Sequence, residues 1–273
     1  MLREIPDPPD ELWVSGDLAA LEGPCIAVVG SRAASQYAME ISAALAFDLA
    51  GRGMVVVSGM ARGVDGAAHR GALEAGGRTV AVLGSGLNVP YPSEHAGLME
   101  QIAGTGAVVS ELPPDAPPLP HHFPLRNRII SGLSRAVVVI EAGEKSGSLI
   151  TARCALEQGR EVMAVPGNAL SGRNRGSHAL LKDGAKLVEG VDDILEELGF
   201  SRPGPASVAD PNPLLHNGLI STLQPGETYG LDELAESSGL PAADLLPRLL
   251  ELELRGLVVR VPGGRFARVC KRV

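Results

Sequence analysis

From residue 26 to residue 167 the chain alternates short, continuous apolar runs with longer stretches in which apolar residues recur at helical spacing. The apolar runs are IAVV (26–29), VVVS (55–58), TVAVLG (79–84), AVVS (107–110), AVVVIE (136–141) and EVMAVPG (161–167). The stretches EISAALAFDLAGRG (40–53) and SLITARCALEQGR (148–160) are typical of amphipathic helices. Apolar strands separated by helices predict a parallel sheet covered on both faces, and therefore an α/β, Rossmann-like domain. Its ligand is expected beyond the carboxyl ends of the strands.

The pattern changes after residue 200. The segment SRPGPASVADPNP (201–213) is rich in proline and has no periodicity, which indicates a linker. The following segment, LDELAESSGLPAADLLPRLLELELRGLVVRVPGGRFAR (231–268), predicts a helix, a turn, a second helix and two strands joined by Pro-Gly-Gly. We therefore predict a lead segment over 1–20, an extended Rossmann-like parallel-sheet domain over 21–199, a linker over 200–213 and a small winged-helix domain over 214–273.

Composition and charge exclude several classes of protein. No apolar run reaches the roughly 18 residues that a membrane helix needs, and the polar start MLREIPDPPDELW is unlike a signal peptide. Cys25, Cys154 and Cys270 are too few and too scattered for a disulfide framework or a metal site, so we expect a cytoplasmic protein without metal or other cofactor. Residues 1–200 hold 16 basic and 24 acidic side chains, whereas residues 201–273 hold eight of each, so the net charge of −8 lies entirely in the first part. An acidic protein is not expected to bind nucleic acid indiscriminately, although it can carry a local basic cleft.

Three loops that follow apolar runs combine glycine with a cation. Their candidate phosphate-binding residues are Gly30, Ser31 and Arg32 in VVGSRAAS (28–35), Gly59, Arg62 and Gly63 in VSGMARGVDGAAHRGAL (57–73), and Lys145, Ser146, Gly147 and Ser148 in EAGEKSGSLITA (141–152). Backbone amides at a helix start bind phosphate together with a basic side chain. None of the loops matches the dinucleotide fingerprint or the Walker pattern, so ATP hydrolysis is not expected. We expect Asp65 to cap the helix after the second loop, and His69 to be structural.

A fourth basic segment, HHFPLRNRIISGLS (121–134), precedes the fifth apolar run. It predicts a helix in which Ile129, Ile130 and Leu133 pack on the sheet. The side chains expected to reach the loops are Phe123, Arg126 and Asn127, and Arg128 is a further candidate for binding phosphate. One of the two arginines alternatively pairs with Glu141 or Asp65. A row of cationic loops beside an aromatic ring favours single-stranded nucleic acid, because bases stack on the ring while cations contact phosphates.

Seven segments of the chain, in this order, resemble the DprA/Smf family of DNA-processing proteins. They are GSRAASQYA, VVSGMARGVDGAAH, VAVLGSGLNVPYP, SELPPDAPP, FPLRNRIISGLS, EAGEKSGSLITARCALEQGREVMAVPG and GSHALLKDGAKLV. The resemblance covers about residues 5 to 195, and FPLRNRIISGLS is close to diagnostic. It implies a protein without catalytic residues that protects single-stranded DNA in a basic pocket, loads the RecA recombinase during natural transformation, and forms a homodimer. Many members carry a further helical domain before IPDPP, near which this chain begins. His178 stands where the family usually has asparagine, so no role is assigned to it.

Two other functions compete with this interpretation. Related Rossmann variants hydrolyse nucleotide N-glycosidic bonds with a glycine-rich loop and a carboxylate, which Glu141 or Glu144 could supply. A transcription factor would act through the winged helix instead. The predicted recognition helix PAADLLPRLLELELR (241–255) carries Asp244, Glu251 and Glu253 against two arginines, which opposes contact with phosphates.

Overall fold

The computed structural model describes residues 1–200, 223, 227–238, 241, 245–246, 249, 252–253, 258–261 and 265–268. The chain divides into two compact units, Met1–Arg202 and Pro203–Val273. The predicted linker beyond residue 200 and most of the predicted recognition helix lie outside the described residues. None of the helices in the described part of the chain has the length and apolar character needed to cross a membrane.

The first unit is built on an eight-stranded sheet. Its strands are β1 (Trp13–Gly16), β2 (Cys25–Val29), β3 (Val55–Ser58), β4 (Thr79–Val82), β5 (Ala107–Ser110), β6 (Ala136–Val139), β7 (Glu161–Ala164) and β8 (Lys186–Leu187). The spatial order is β1-β5-β4-β3-β2-β6-β7-β8, and only the β1–β5 pairing among these strands is antiparallel. Each of the six apolar runs forms a strand, so the predicted Rossmann-like parallel sheet is confirmed.

Helices cover both faces of the sheet. They are α1 (Gln36–Gly51), α2 (Val64–Glu74), α3 (Ala96–Thr105), α4 (His122–Leu133), α5 (Ser148–Glu157), α6 (Arg175–Lys182) and α7 (Val191–Glu197), with short 3-10 helices at Leu2–Glu4, Leu18–Leu21 and Ser93–His95. Alternate residues of β2 enter different cores: Ile26 joins the core formed with α1, α2 and α7, and Ala27 joins the core formed with α4 and α5. Because successive strand residues point to opposite faces, a run that is apolar at every position is buried on both sides.

The topology places a crevice between β2 and β6. From β2 the chain moves outward to β3 and β4, and after α4 it returns to the other side of β2 to form β6. The loops after β2 and β6 therefore leave the sheet in opposite directions, which is where ligands bind in open parallel sheets.

Edge strand β1 has no counterpart among the six apolar runs. β1 lies within residues 1–20, which the sequence pattern assigned to a lead segment, and it pairs from Trp13↔Ser110 to Gly16↔Ala107 with β5. The sequence WVSG ends in serine and glycine, which are weak strand formers, so pairing with β5 rather than local preference determines this strand.

The second unit contains helix α8 (Leu231–Ser238) and a three-stranded antiparallel sheet of order β10-β11-β9. The strands are β9 (Thr228–Tyr229), β10 (Val258–Val261) and β11 (Arg265–Arg268). Its described core consists of Leu223, Leu234, Leu245, Leu249, Leu252, Val258 and Phe266. The two strands predicted on either side of Pro-Gly-Gly pair as expected.

Candidate nucleic-acid interface

A cavity of about 750 Å³ opens at the carboxyl ends of β2 and β6. This volume is in the range of small-ligand sites. Ten of the fourteen candidate residues line it: Gly30, Ser31, Arg32, Phe123, Arg126, Asn127, Lys145, Ser146, Gly147 and Ser148. Segments far apart in sequence therefore meet at one place.

The other four candidates lie beside the cavity or away from it. Gly59 and Arg62 line an adjoining cavity of about 50 Å³. Gly63 has φ of +72°, and a Cβ there would lie 2.3 Å from the carbonyl oxygen of Ser31. Glycine is therefore required where the loops after β2 and β3 touch. Arg128 lines neither cavity.

The loop after β2 brings a cation to the rim of the cavity. The amide of Ser31 donates to the carbonyl oxygen of Glu141 at 2.8 Å, which fixes this loop against the end of β6. Arg32 is exposed, and its guanidinium carbon lies 5.0 Å from the centre of the Phe123 ring. Within the part of the chain that the structure describes, Arg32 forms no ion pair with a carboxylate, so its charge is available to a ligand.

The loop after β6 supplies hydroxyl groups and a second cation. Lys145 is exposed, and the hydroxyl oxygens of Ser146 and Ser148 are 2.8 Å apart. Ser148 is the first residue of α5, and its amide donates to the hydroxyl of Ser146 at 3.4 Å. The next two amides of the helix donate to the carbonyl oxygens of Ser146 and Gly147, both at 3.1 Å. The lysine and the two hydroxyls, beside the positive end of the α5 dipole, form a favourable environment for a phosphate.

Arg126 forms the floor of the cavity. Its side chain is buried, and it donates to the carbonyl oxygens of Gly59, at 2.6 Å, and Val82. A Cβ on Gly59 would lie 2.2 Å from the guanidinium, so only glycine permits this approach. Burial lowers the pKa of Arg126 to about 10, against the opposing effect of Asp65. Arg126 therefore remains charged at neutral pH and joins the ends of β3 and β4 to α4.

Asp65 and His69 on α2 have structural contacts. Gly63, not Asp65, is the N-cap of α2, so the predicted cap is wrong: Asp65 lies in the first turn and accepts from the amide of Ala61 at 3.3 Å. Asp65 also lines the cavity, and burial raises its pKa while Arg126 opposes that shift. His69 is buried with its Nδ1 2.7 Å from the Thr79 hydroxyl. Burial lowers the pKa of His69 to about 3, which keeps it neutral.

Two of the candidate arginines are held by carboxylates. Arg128 pairs with Asp7 at 2.9 Å and with Glu111 at 2.6 Å, rather than with Glu141 or Asp65. These contacts hold its guanidinium outside both cavities. Arg62 forms a two-point contact with Glu94, at 2.5 and 2.6 Å.

The carboxylates that a hydrolase would need are turned to other partners. Glu141 is buried and accepts from the amide of Ser35 at 3.1 Å and from its hydroxyl at 2.6 Å. Glu144 lies 3.4 Å from Arg175. Neither residue lines the cavity, whose lining among the described residues includes one carboxylate, Asp65.

Two residues near the site, Tyr91 and Arg173, were not predicted from the sequence. Tyr91 lines both cavities, and its ring centre lies 5.3 Å from that of Phe123 at an angle of 47°. Arg173 donates to the carbonyl oxygen of Ala33 at 2.8 Å, which brings the loop after β7 to the loop after β2. Tyr91 could have been found from the segment NVPYP, which places an aromatic residue between two prolines after the third apolar run. Loops that follow these runs are where the ligand is expected.

Comparison with known proteins gives two family matches. The family described as DNA recombination-mediator protein A matches residues 1–199, and the DprA winged helix domain matches residues 203–264. The second match confirms the winged helix predicted from the sequence pattern.

Three relatives illustrate the similarity. Protein Smf of Escherichia coli K12 is 45% identical over 280 residues, covering 97% of this chain and 74% of that protein. The crystal structure of DNA processing protein A from Streptococcus pneumoniae is 47% identical, with a TM-score of 0.70 over 72% of this chain and 69% of that chain. DNA processing protein A from Helicobacter pylori, described for its single-stranded DNA binding mode, is 31% identical with a TM-score of 0.67 over 72% of this chain and 90% of that chain.

Proposed function

The chain belongs to the DNA recombination-mediator protein A family, and on this premise we propose that it binds and protects single-stranded DNA in the cavity between β2 and β6. One observation carries the proposal: the exposed cations Arg32 and Lys145 and the aromatic rings of Phe123 and Tyr91 line the same cavity. Single-stranded DNA presents both groups that such a lining recognises, because its phosphates are charged and its bases are unpaired.

The shape of the site favours a single strand over a duplex. The cationic and aromatic side chains line a recess rather than standing on an exposed helix, so they cannot enter the groove of a duplex. In a duplex the bases are stacked and paired, and their faces are not available to an aromatic side chain. We therefore expect unpaired bases to enter the cavity while the phosphates contact the loops after β2 and β6.

A titration with fluorescently labelled oligo-dT and with duplex DNA of equal length tests this function. We expect preferential binding of oligo-dT, with an affinity that falls as salt rises by about 0.7 log units per log unit of salt for each phosphate contact. Equal affinity for the two DNAs, or affinity independent of salt, would contradict the proposal.

Arg32→Ala and Arg78→Ala form a matched pair of variants for this titration. Arg78 is exposed like Arg32. It directly precedes β4, at the amino-terminal ends of the parallel strands, whereas the cavity lies at their carboxyl ends. Arg32→Ala should weaken binding by about 1.5–3 kcal/mol, as the loss of a charge-assisted contact does. Arg78→Ala should bind like the wild type. If the two variants bind equally, Arg32 does not belong to the site.

We further propose, from the family, that the protein acts in the cytoplasm as a homodimer and loads the RecA recombinase onto the bound strand during natural transformation. RecA filament formation on oligo-dT coated with a single-strand-binding protein is the test. Wild-type protein and Arg78→Ala should accelerate filament formation, whereas Arg32→Ala should not. If Arg32→Ala accelerated filament formation as much as the wild type, RecA loading would not depend on DNA binding in this cavity.

A further inference from the structure

The ring of Phe123 is already occupied by protein groups. The guanidinium of Arg32 lies over it at 5.0 Å from its centre, and the ring of Tyr91 lies 5.3 Å away. A Cβ on Gly84 would lie 2.7 Å from Cδ1 of Phe123, so the backbone of Gly84 closes a further side. A base that stacked on Phe123 would have to displace one of these neighbours.

Tyr91 lies on the outer side of this aromatic pair. Its side chain is 41% exposed, and it lines the large cavity as well as the small one beside it. Its inner neighbour is the Phe123 ring, which supports it. An aromatic ring that is supported on one side and open on another is a suitable platform for a nucleobase.

We propose that Tyr91 is the residue on which a DNA base stacks, and that Phe123 is a positioning residue that holds the guanidinium of Arg32 at the phosphate-binding rim. This division of roles rests on the function proposed above. It assigns the base contact to a residue of the loop after β4 rather than to α4. Phe123 acts through a cation–π contact, which orients Arg32 without requiring a carboxylate partner.

Oligo-dT and an abasic oligonucleotide of the same length separate the two roles, because the abasic strand keeps its phosphates and lacks bases. Both should bind the wild type at low salt. Tyr91→Ala should weaken oligo-dT binding about 5- to 150-fold and leave abasic binding unchanged, while Tyr91→Phe should retain both. Phe123→Ala should weaken both probes by similar factors, because it disturbs a phosphate contact.

Two controls keep the result interpretable. Phe47 on α1 is 43% exposed and lines neither cavity, so Phe47→Ala is a matched control that should bind both probes normally. Phe123→Leu fills the space beside Gly84 without an aromatic face, and it should reproduce the Phe123→Ala result if that variant folds poorly. Thermal melting of each variant shows whether it is folded.

Three results would overturn the inference while leaving the proposed function intact. They are normal oligo-dT binding by Tyr91→Ala, equal losses on the two probes for Tyr91→Ala, and a loss confined to oligo-dT for the Phe123 variants. A wild-type protein that binds neither probe would instead overturn the proposed function itself, and the inference with it.

Discussion

Replacing Arg126 with alanine should mainly lower the stability of the protein, because the side chain has a structural role under the DNA site. The side chain is 6% exposed, and it links α4 to the carbonyl oxygens of Gly59, after β3, and Val82, at the end of β4. Truncation removes both contacts and leaves two carbonyl groups without their donor. The affected groups lie under the cavity, so any change in DNA binding should follow from the loss of structure.

The magnitude follows from the contacts. A buried polar group left without its partner costs about 1–3 kcal/mol, so two carbonyls cost about 2–6 kcal/mol of unfolding free energy. At roughly 2–4 °C per kcal/mol for a unit of this size, the melting temperature should fall by at least about 4 °C. Arg126→Lys keeps the charge but offers a single nitrogen in place of the planar fork, so it should recover only part of the loss.

Thermal melting beside an oligo-dT titration decides the matter, with Arg32→Ala as the comparison. Arg32 is exposed, so its variant should melt like the wild type and bind DNA weakly. Arg126→Ala should melt markedly lower. A normal melting temperature for Arg126→Ala, together with weakened binding and a shallower salt dependence, would refute the reasoning and place the guanidinium among the phosphate contacts.

Three further predictions concern the charged side chains. Arg128→Ala should lower the melting temperature and leave oligo-dT affinity unchanged in the same assays, because this arginine pairs with carboxylates; lost affinity with normal melting would contradict this. Glu94→Gln removes the charged partner of Arg62 at the small cavity. Titrations should then show tighter oligo-dT binding and a salt slope steeper by about 0.7. Unchanged binding would count against Arg62 as a DNA contact. Burial lowers the pKa of His69 to about 3, below the unfolded value of about 6.5, so the unfolded chain is protonated first as pH falls. Below about pH 6.5 this residue should therefore lower the free energy of unfolding of the wild type, by up to about 1.4 kcal/mol per pH unit. In urea unfolding, the difference in unfolding free energy between wild type and His69→Gln should shrink from pH 7 to pH 5. A difference that stays constant would contradict the pKa shift.

The parallel sheet could be predicted because its interior strands are apolar at every position. All five residues of β2 are buried, and the run that forms β6 is equally continuous. Such a run can be recognised as a strand without knowledge of the strand that pairs with it. Strand β1 cannot be recognised in this way, because none of its residues is fully buried and its position comes from pairing with β5. Edge strands of this kind leave little trace in a hydrophobic pattern.

The candidate site was predictable as far as topology determines it. Loops after parallel strands meet at one edge, so the glycine and cation residues after β2 and β6 converge there. The partners of individual arginines were not predictable. Arg126 contacts carbonyls 67 and 44 positions away, and Arg128 contacts Asp7, 121 positions away. Helical spacing places Arg126 on the same face as Ile129 and Ile130, but it does not give the partners of either guanidinium.

Photo-crosslinking tests the central claim most directly, which is that single-stranded DNA occupies the cavity between β2 and β6. An oligonucleotide that contains 5-iodouracil reacts with nearby aromatic side chains on irradiation, and peptide mapping then locates the adduct. We expect adducts in the peptides that contain Tyr91 or Phe123, and we expect unlabelled oligo-dT to abolish them by competition. Competable adducts confined to residues 203–273 would place the DNA on the winged-helix unit and contradict it.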